Sequence, residues 1–226
     1  MGRDAYVTTH PIVQHVETVE QASQAFDGIT YGKGSAVISM FEDYVGADAW
    51  RDGVRRYIAA HAYGNAVTDD LWAEIDKAAP GKRFMEVAHD FTLQPGVPMI
   101  RASSSCVAGN TQVKLSQGEY TIDRKDKQPL HWRVPVSLRV GNGEVVHTLV
   151  DGDTNVQLPG CTGPLLVNAG QKGYYRTLYA PTQFKALSAG FDKLPVVDQL
   201  GVMMDTSALA AAGLQPDADL LDLIAK

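Results

Sequence analysis

The run Gln94-Pro95-Gly96-Val97-Pro98 constrains this chain more than any other feature. Each proline lacks an amide donor and disfavours helical dihedrals in the residue before it. The glycine between them adds backbone freedom. No helix continues through such a run, so the fold must change character there. The apolar periodicity does change across it.

Ahead of the break, apolar residues recur at helical spacing. Val37, Ile38, Met40, Phe41, Tyr44 and Val45 give a helix with a wide apolar face after Thr30-Tyr31-Gly32-Lys33-Gly34. Gly46 is placed to cap it. A second helix is expected with Trp50, Val54, Tyr57, Ile58 and His61 on one side. Thr68 suits the N-cap of a third, with Asp69 and Asp70 against its dipole. That helix carries Leu71, Trp72, Ile75 and Ala78 and ends at Pro80-Gly81. Phe84, Val87 and Ala88 mark a short fourth.

Beyond the break, β-rich runs fall at 99–102, 111–115, 120–122, 132–140, 145–150, 156–158, 165–168 and 174–179. Gly, Asn, Asp and Pro separate them, and Gly141-Asn142-Gly143 reads as a hairpin turn. Several short strands with regular turn signals suggest a small β-sandwich. From about residue 194 helical spacing returns through Val197, Leu200, Met203, Met204, Leu209, Leu214, Leu220, Leu221 and Ile224.

Composition narrows the function classes. The 226 residues are 45% apolar and 20% charged, as in an ordinary soluble globular protein. The formal charge is -6, and the densest basic stretch (Arg124, Lys125 and Lys127) is diluted by Asp123 and Asp126. That argues against a nucleic-acid partner, which needs clustered Lys and Arg. No apolar run approaches the roughly 20 residues of a membrane span. There is no signal pattern at the start. A soluble chain in the cytoplasm, the periplasm or outside the cell fits equally. Cys106 and Cys161 are too few for a tetrahedral zinc site and do not form Cys-x-x-Cys. One disulfide or two half-buried thiols remain open.

Hydrolytic chemistry needs a nucleophile, a base and a stabiliser of developing charge. The histidines are His10, His15, His61, His89, His131 and His147, with no His-Glu-x-x-His among them. His10 and His15 are near each other, but Pro11 keeps them off one continuous helix face. There is no Gly-x-Ser-x-Gly elbow. Gly32-Lys33-Gly34-Ser35 lacks the upstream glycine of a phosphate loop. Taken residue by residue, the chain is a multi-domain globular protein without an assignable role.

Longer strings carry more. Residues 26–40, from Phe26-Asp27-Gly28-Ile29-Thr30-Tyr31 to Met40, resemble "F-x-x-I-x-Y-x-K-G-x-x-V-x-x-M" of the aminopeptidase N family of zinc metallopeptidases, peptidase family M1. Tyr57 to Ala66 resemble "Y-L-x-x-H-x-Y-G-N-A", and Thr68 to Trp72 resemble "T-x-D-L-W". Phe91 to Pro98 resemble "W-T-x-Q-P-G-Y-P", with Phe91 and Val97 departing from its aromatics. Asn168 to Arg176 are similar to "N-x-x-x-x-G-Y-Y-R" of the family's sandwich.

The resemblance implies a multi-domain α+β fold. Residues 1–98 would be the helical end of a thermolysin-like catalytic domain, 99–190 an all-β sandwich, and 191–226 the beginning of an α-helical domain. It implies a parent enzyme that uses zinc to remove N-terminal residues from peptides with a free N-terminus. The zinc motif is absent from these residues, so no metal ligand and no cofactor are expected in this chain, which should be inactive alone. Tyr31 corresponds to the family's catalytic tyrosine, whose hydroxyl donates to the oxyanion of the tetrahedral intermediate. Phe26 is a candidate for lining the substrate cleft, although packing suits it as well. Lys33 is expected to be a solvated helix-start lysine. Trp50, Trp72 and Trp132 should be core anchors, and Tyr174-Tyr175-Arg176 should hold the sandwich against the catalytic domain. Apolar surface at both ends could drive self-association. The alternative is a non-catalytic interaction scaffold built on the same domains.

Overall fold

A computed structural model describes residues 1–124 and 128–226. Lys125, Asp126 and Lys127 of the basic stretch lie outside the described residues. The chain forms two compact units, His10–Pro95 and Met1–Thr9 with Gly96–Lys226. No helix among the described residues is long and apolar enough to cross a membrane.

The first unit is helical: α1 (Val19–Gln24), α2 (Gly34–Val45), α3 (Ala47–Ala60), α4 (Thr68–Ala78) and α5 (Phe84–Thr92). A π-helical turn, Ile29–Lys33, runs directly into α2. Phe41 on α2 sits at the centre of the core. It meets Trp72 at 5.6 Å, Phe84 at 5.2 Å and Phe91 at 6.2 Å, all edge to face. Such pairs are worth about 0.5–1.5 kcal/mol each beyond area burial. Gly46 ends α2 as expected, with φ 93° that a side chain would resist.

Two local expectations need correction. Thr68 is the first residue of α4 rather than its cap. Val67 holds the cap position, and the Asp70 carboxylate reaches back to accept its amide at 2.8 Å. The face expected around α3 holds at Trp50, Val54, Tyr57 and His61, which are half-buried, but Ile58 is exposed and the most buried residue is Gly53. A Cβ at Gly53 would lie 2.8 Å from the Ile75 Cα, so the two helices touch backbone to backbone. Apolar periodicity cannot register a contact made by a residue without a side chain.

The second unit holds two sheets. β1 (Val97–Val107), β2 (Asn110–Tyr120), β5 (Thr154–Pro159) and β7 (Arg176–Tyr179) form one, in the order β5-β2-β1-β7. β3 (Val134–Val140), β4 (Val146–Val150) and β6 (Leu165–Val167) form the other, in the order β4-β3-β6. Gly141-Asn142-Gly143 does lie in the β3–β4 hairpin. A tighter turn joins β1 to β2, where Ala108 (φ 50°) and Gly109 (φ 80°) fit a type I′ turn. Cys106 and Cys161, 55 positions apart in sequence, are joined by a disulfide with Cα atoms 5.7 Å apart. A loop of that length corresponds to about 4 kcal/mol of stabilisation in the chain-entropy account.

Buried polar groups tie the outlying segments to the sandwich. Asp4, 2% exposed, accepts from the Gly96 amide at 2.9 Å and the Tyr174 hydroxyl at 3.0 Å, and Thr9 donates to it as well. Tyr174 therefore anchors the N-terminal residues. Burial, and then the Asp4 charge, push its hydroxyl well above the usual tyrosine range.

The C-terminal helices are α6 (Pro181–Ala189), α7 (Val196–Ala211) and α8 (Asp217–Ile224). The sequence reading missed α6, which begins with Pro181 at its first turn. The apolar residues that mark α7 in the sequence divide, with Leu209 buried and Val197, Leu200 and Met204 exposed. The helix buries Asp198, Gly201, Val202, Asp205, Thr206 and Leu209 while Val196, Leu200 and Met204 stay exposed. Asp198 meets Arg139 at 2.9 Å and the Gly170 amide at 2.7 Å. Asp205 meets Arg176 at 2.9 Å and the Thr177 amide at 3.0 Å. The helix is thus held by paired carboxylates two turns apart beside the buried Val202 and Leu209.

Candidate functional site

The residues around Tyr31 are arranged from the backbone outward. Thr18 caps α1, its hydroxyl accepting from the Gln21 amide at 3.2 Å while Gln21 accepts from the Thr18 amide at 3.2 Å. After α1 the chain turns at Asp27. One carboxylate oxygen accepts from the amides of Ile29 (3.0 Å) and Thr30 (2.9 Å). The Asp27 carbonyl accepts from the Tyr31 amide at 3.1 Å. The Gly34 amide then reaches back to the Ile29 carbonyl, the five-residue bond that widens this turn into a π-helix.

The widened turn sorts its side chains. Ile29 and Lys33 are buried. Tyr31 is 60% exposed and Phe26 is 70% exposed. Their rings lie 6.1 Å apart at an angle of 35°. The expectation for Lys33 fails: it is 2% exposed and its ammonium donates to the Gln94 carbonyl at 3.0 Å. Helical spacing suggests a solvated lysine there, but the π-turn rotates it inward, where a carbonyl receives it. Tyr31 and Phe26, both singled out in the sequence, stand together on the open side of the turn.

Asp27 and His10 were not singled out. The other oxygen of Asp27 faces His10 Nε2 at 2.9 Å, and His10 Nδ1 faces the Pro11 carbonyl at 2.8 Å. The Thr30 amide first, then His10 and the Ile29 amide, hold the Asp27 carboxyl down at about 2 against the upward push of burial. The group is therefore an anion at neutral pH. An Asp just ahead of a helical turn is a capping signal that could have pointed to it. Nothing in the spacing links residue 10 to residue 27.

The remaining histidines are dispersed. His15 pairs with Glu17 at 2.9 Å, His89 with Asp69 at 2.8 Å and His131 with Asp151 at 2.7 Å, while His61 stacks on Tyr57 at 5.3 Å. Among the described residues no group of three or more His, Cys, Asp or Glu could hold a metal ion. A hollow of about 1030 Å³ in the second unit is bordered by Arg101, Lys114, Lys185, Asp153, Asp219 and Asp222. Its charges are of both signs, so it offers no single field for an ionic ligand. Tyr31 on its π-turn is the chemically directed feature: a phenol donor, accessible, on a backbone fixed by several bonds.

Residues 1–91 match the peptidase family M1 domain, and residues 164–226 match the ERAP1-like C-terminal domain. Tricorn protease-interacting factor F2 of Thermoplasma volcanium is 31% identical over 212 residues, 93% of this chain and 25% of that protein. Aminopeptidase 2 of Candida albicans is 31% identical over 230 residues, 98% of this chain and 24% of that protein. Leucyl aminopeptidase of Saccharolobus solfataricus is 32% identical over 214 residues, 94% of this chain and 26% of that protein. The chain spans about a quarter of the length of the curated relatives it matches. Matches at both ends of the chain and relatives that cover nearly all of it lead to one conclusion: the chain belongs to peptidase family M1.

Proposed function

We propose that this chain is part of a zinc-dependent aminopeptidase that hydrolyses the N-terminal peptide bond of peptides, and that Tyr31 donates a hydrogen bond to the oxyanion of the tetrahedral intermediate. The observation that carries this is the exposed Tyr31 side chain on a pinned π-helical turn. A donor held there costs no reorganisation when charge develops, so it lowers the barrier rather than only binding substrate. Phe26, exposed and 6.1 Å from the Tyr31 ring, supplies an apolar wall for substrate. Residues 1–98 are assigned to the catalytic domain, 99–190 to the sandwich and 191–226 to the start of the helical domain.

Zinc would supply the activated water in such an enzyme. The described residues offer no group that fits it, so the metal is assigned to residues outside this chain. The chain alone is accordingly expected to bind no stoichiometric zinc and to release no arylamine from an amino-acid arylamide. A version lengthened toward its relatives should do both. Metal analysis finding one tight zinc in the 226-residue chain would overturn the assignment. A folded, lengthened protein with neither zinc nor turnover would favour a scaffold.

The exposed apolar residues of α7 and α8, such as Val196, Leu200 and Leu221, are assigned to self-association of the isolated chain. Sedimentation should show a concentration-dependent mass that falls to the monomer in Leu200→Lys. A monomer throughout would remove the proposal.

A further inference from the structure

His10 turns both ring nitrogens toward acceptors. Nδ1 lies 2.8 Å from the Pro11 carbonyl oxygen, and Nε2 lies 2.9 Å from Asp27 Oδ2. A carbonyl oxygen cannot donate, and neither can an ionised carboxylate. A neutral imidazole has one N–H, so it would set a lone pair against one of the two oxygens. The imidazolium, with two N–H groups, satisfies both.

We infer that His10 is held as the imidazolium and is a positioning residue for Tyr31, clamping Asp27 so that Asp27 fixes the turn from which Tyr31 projects. The inference rests on the reading of Tyr31 given above and deepens it. Asp27 is engaged on each side: Oδ2 meets His10, while Oδ1 accepts from the amides of Ile29 and Thr30. Its carbonyl accepts from Tyr31 itself. If His10 becomes neutral, Oδ2 loses a charged partner, and the carboxylate is free to rotate away from both amides. The side chains of His10 and Asp27 are each 26% exposed, shielded enough for the pair to act above the level of an open surface contact.

The clamp has a pH window. Asp27 faces the His10 ring with a charge, and His10 and the amide dipoles of Ile29 and Thr30 face Asp27. Asp27 has its folded value depressed to about 2, so its contribution is present above the ordinary carboxylate range and is lost as pH falls toward 2. His10 contributes while it is doubly protonated, so its part is lost as pH rises and the ring gives up a proton.

The test uses the isotope-labelled chain without metal or substrate. Long-range nitrogen–proton spectra of the His10 ring report its protonation, and amide exchange at Ile29, Thr30 and Tyr31 reports the turn. At pH 7 both ring nitrogens are expected to be protonated. As the ring titrates, protection of Ile29 and Thr30 should fall about tenfold beyond the intrinsic pH effect, the factor expected of one charge-assisted bond. In His10→Gln that extra pH dependence should vanish while protection of α5 is kept. A neutral single tautomer at pH 7, or identical pH profiles in wild type and His10→Gln, would overturn the inference. If His10→Gln does not fold, the wild-type ring state still decides. These readouts do not involve turnover. An intact clamp beside a Tyr31 without catalytic effect would sink the proposed function and leave the clamp standing.

Discussion

Tyr31→Phe is expected to lower turnover about a hundredfold or more in a lengthened protein with a complete catalytic centre. The substitution removes one oxygen and leaves the ring that stands beside Phe26. The bonds that shape the turn are made by backbone amides and Asp27, so the phenol is not needed to build it. Because Tyr31 is 60% exposed, stability should stay within about 0.5 kcal/mol of the parent. A donor that engages only the developing oxyanion lowers kcat and kcat/KM together and leaves KM nearly unchanged. Steady-state kinetics on an amino-acid arylamide would read this split. A raised KM with an undiminished kcat would make Tyr31 a substrate-binding residue. No change in either would return it to an ornamental aromatic at the start of a helix.

The strands were legible because their cores alternate. Ile100 and Ala102 are buried with Arg101 exposed between them, and Val113 and Leu115 flank an exposed Lys114. The same strands run on beyond what the sequence suggested. Past Ala102, the residues Ser103, Ser104, Ser105 and Cys106 leave the core, and a half-exposed strand carries no apolar period. The family strings placed Tyr31 and Phe26 together, and the structure stands them side by side. What stayed illegible depends on contacts without apolar periodicity. The close approach of α3 and α4 uses Gly53, which has no side chain to count. Lys33 turned inward because a π-turn alters the phase that helical spacing assumes. The tie between His10 and Asp27 is a polar contact across 17 residues. On α7 the apolar period marked the helix, but Asp198 and Asp205, which dock it, carry no apolar signal.

Those carboxylates give the α7 contact an ionic part, and Arg176→Met is the variant that weighs it. Arg176 and Asp205 have side chains 10% and 13% exposed, 2.9 Å apart. Burial raises the Asp205 carboxyl above its ordinary range, and Arg176 is the largest influence pulling it back. Methionine keeps much of the aliphatic stem and removes the charge. It also removes the guanidinium 5.8 Å from the Tyr120 ring, whose hydroxyl donates to the Ala208 carbonyl of α7 at 3.0 Å. Asp205 would then keep the Thr177 amide but lose its counter-charge. Stranding a buried charge in this way costs about 3–5 kcal/mol, far more than the intact pair contributes over an apolar replacement. The sign with pH follows from the raised carboxyl. A group whose folded value lies above its unfolded one stabilises at low pH, and that contribution is lost as pH rises through the folded value. The deficit of Arg176→Met should therefore be largest near pH 7 and smaller at an acidic pH, as the buried carboxyl takes up its proton. Urea unfolding at the two pH values measures both parts. Arg176→Met with Asp205→Leu should recover most of the loss, because the helix then packs without a stranded charge. A deficit below about 1 kcal/mol at pH 7, unchanged in acid, would mean that water reaches Asp205 and that Asp198 with Arg139 carries the docking of α7.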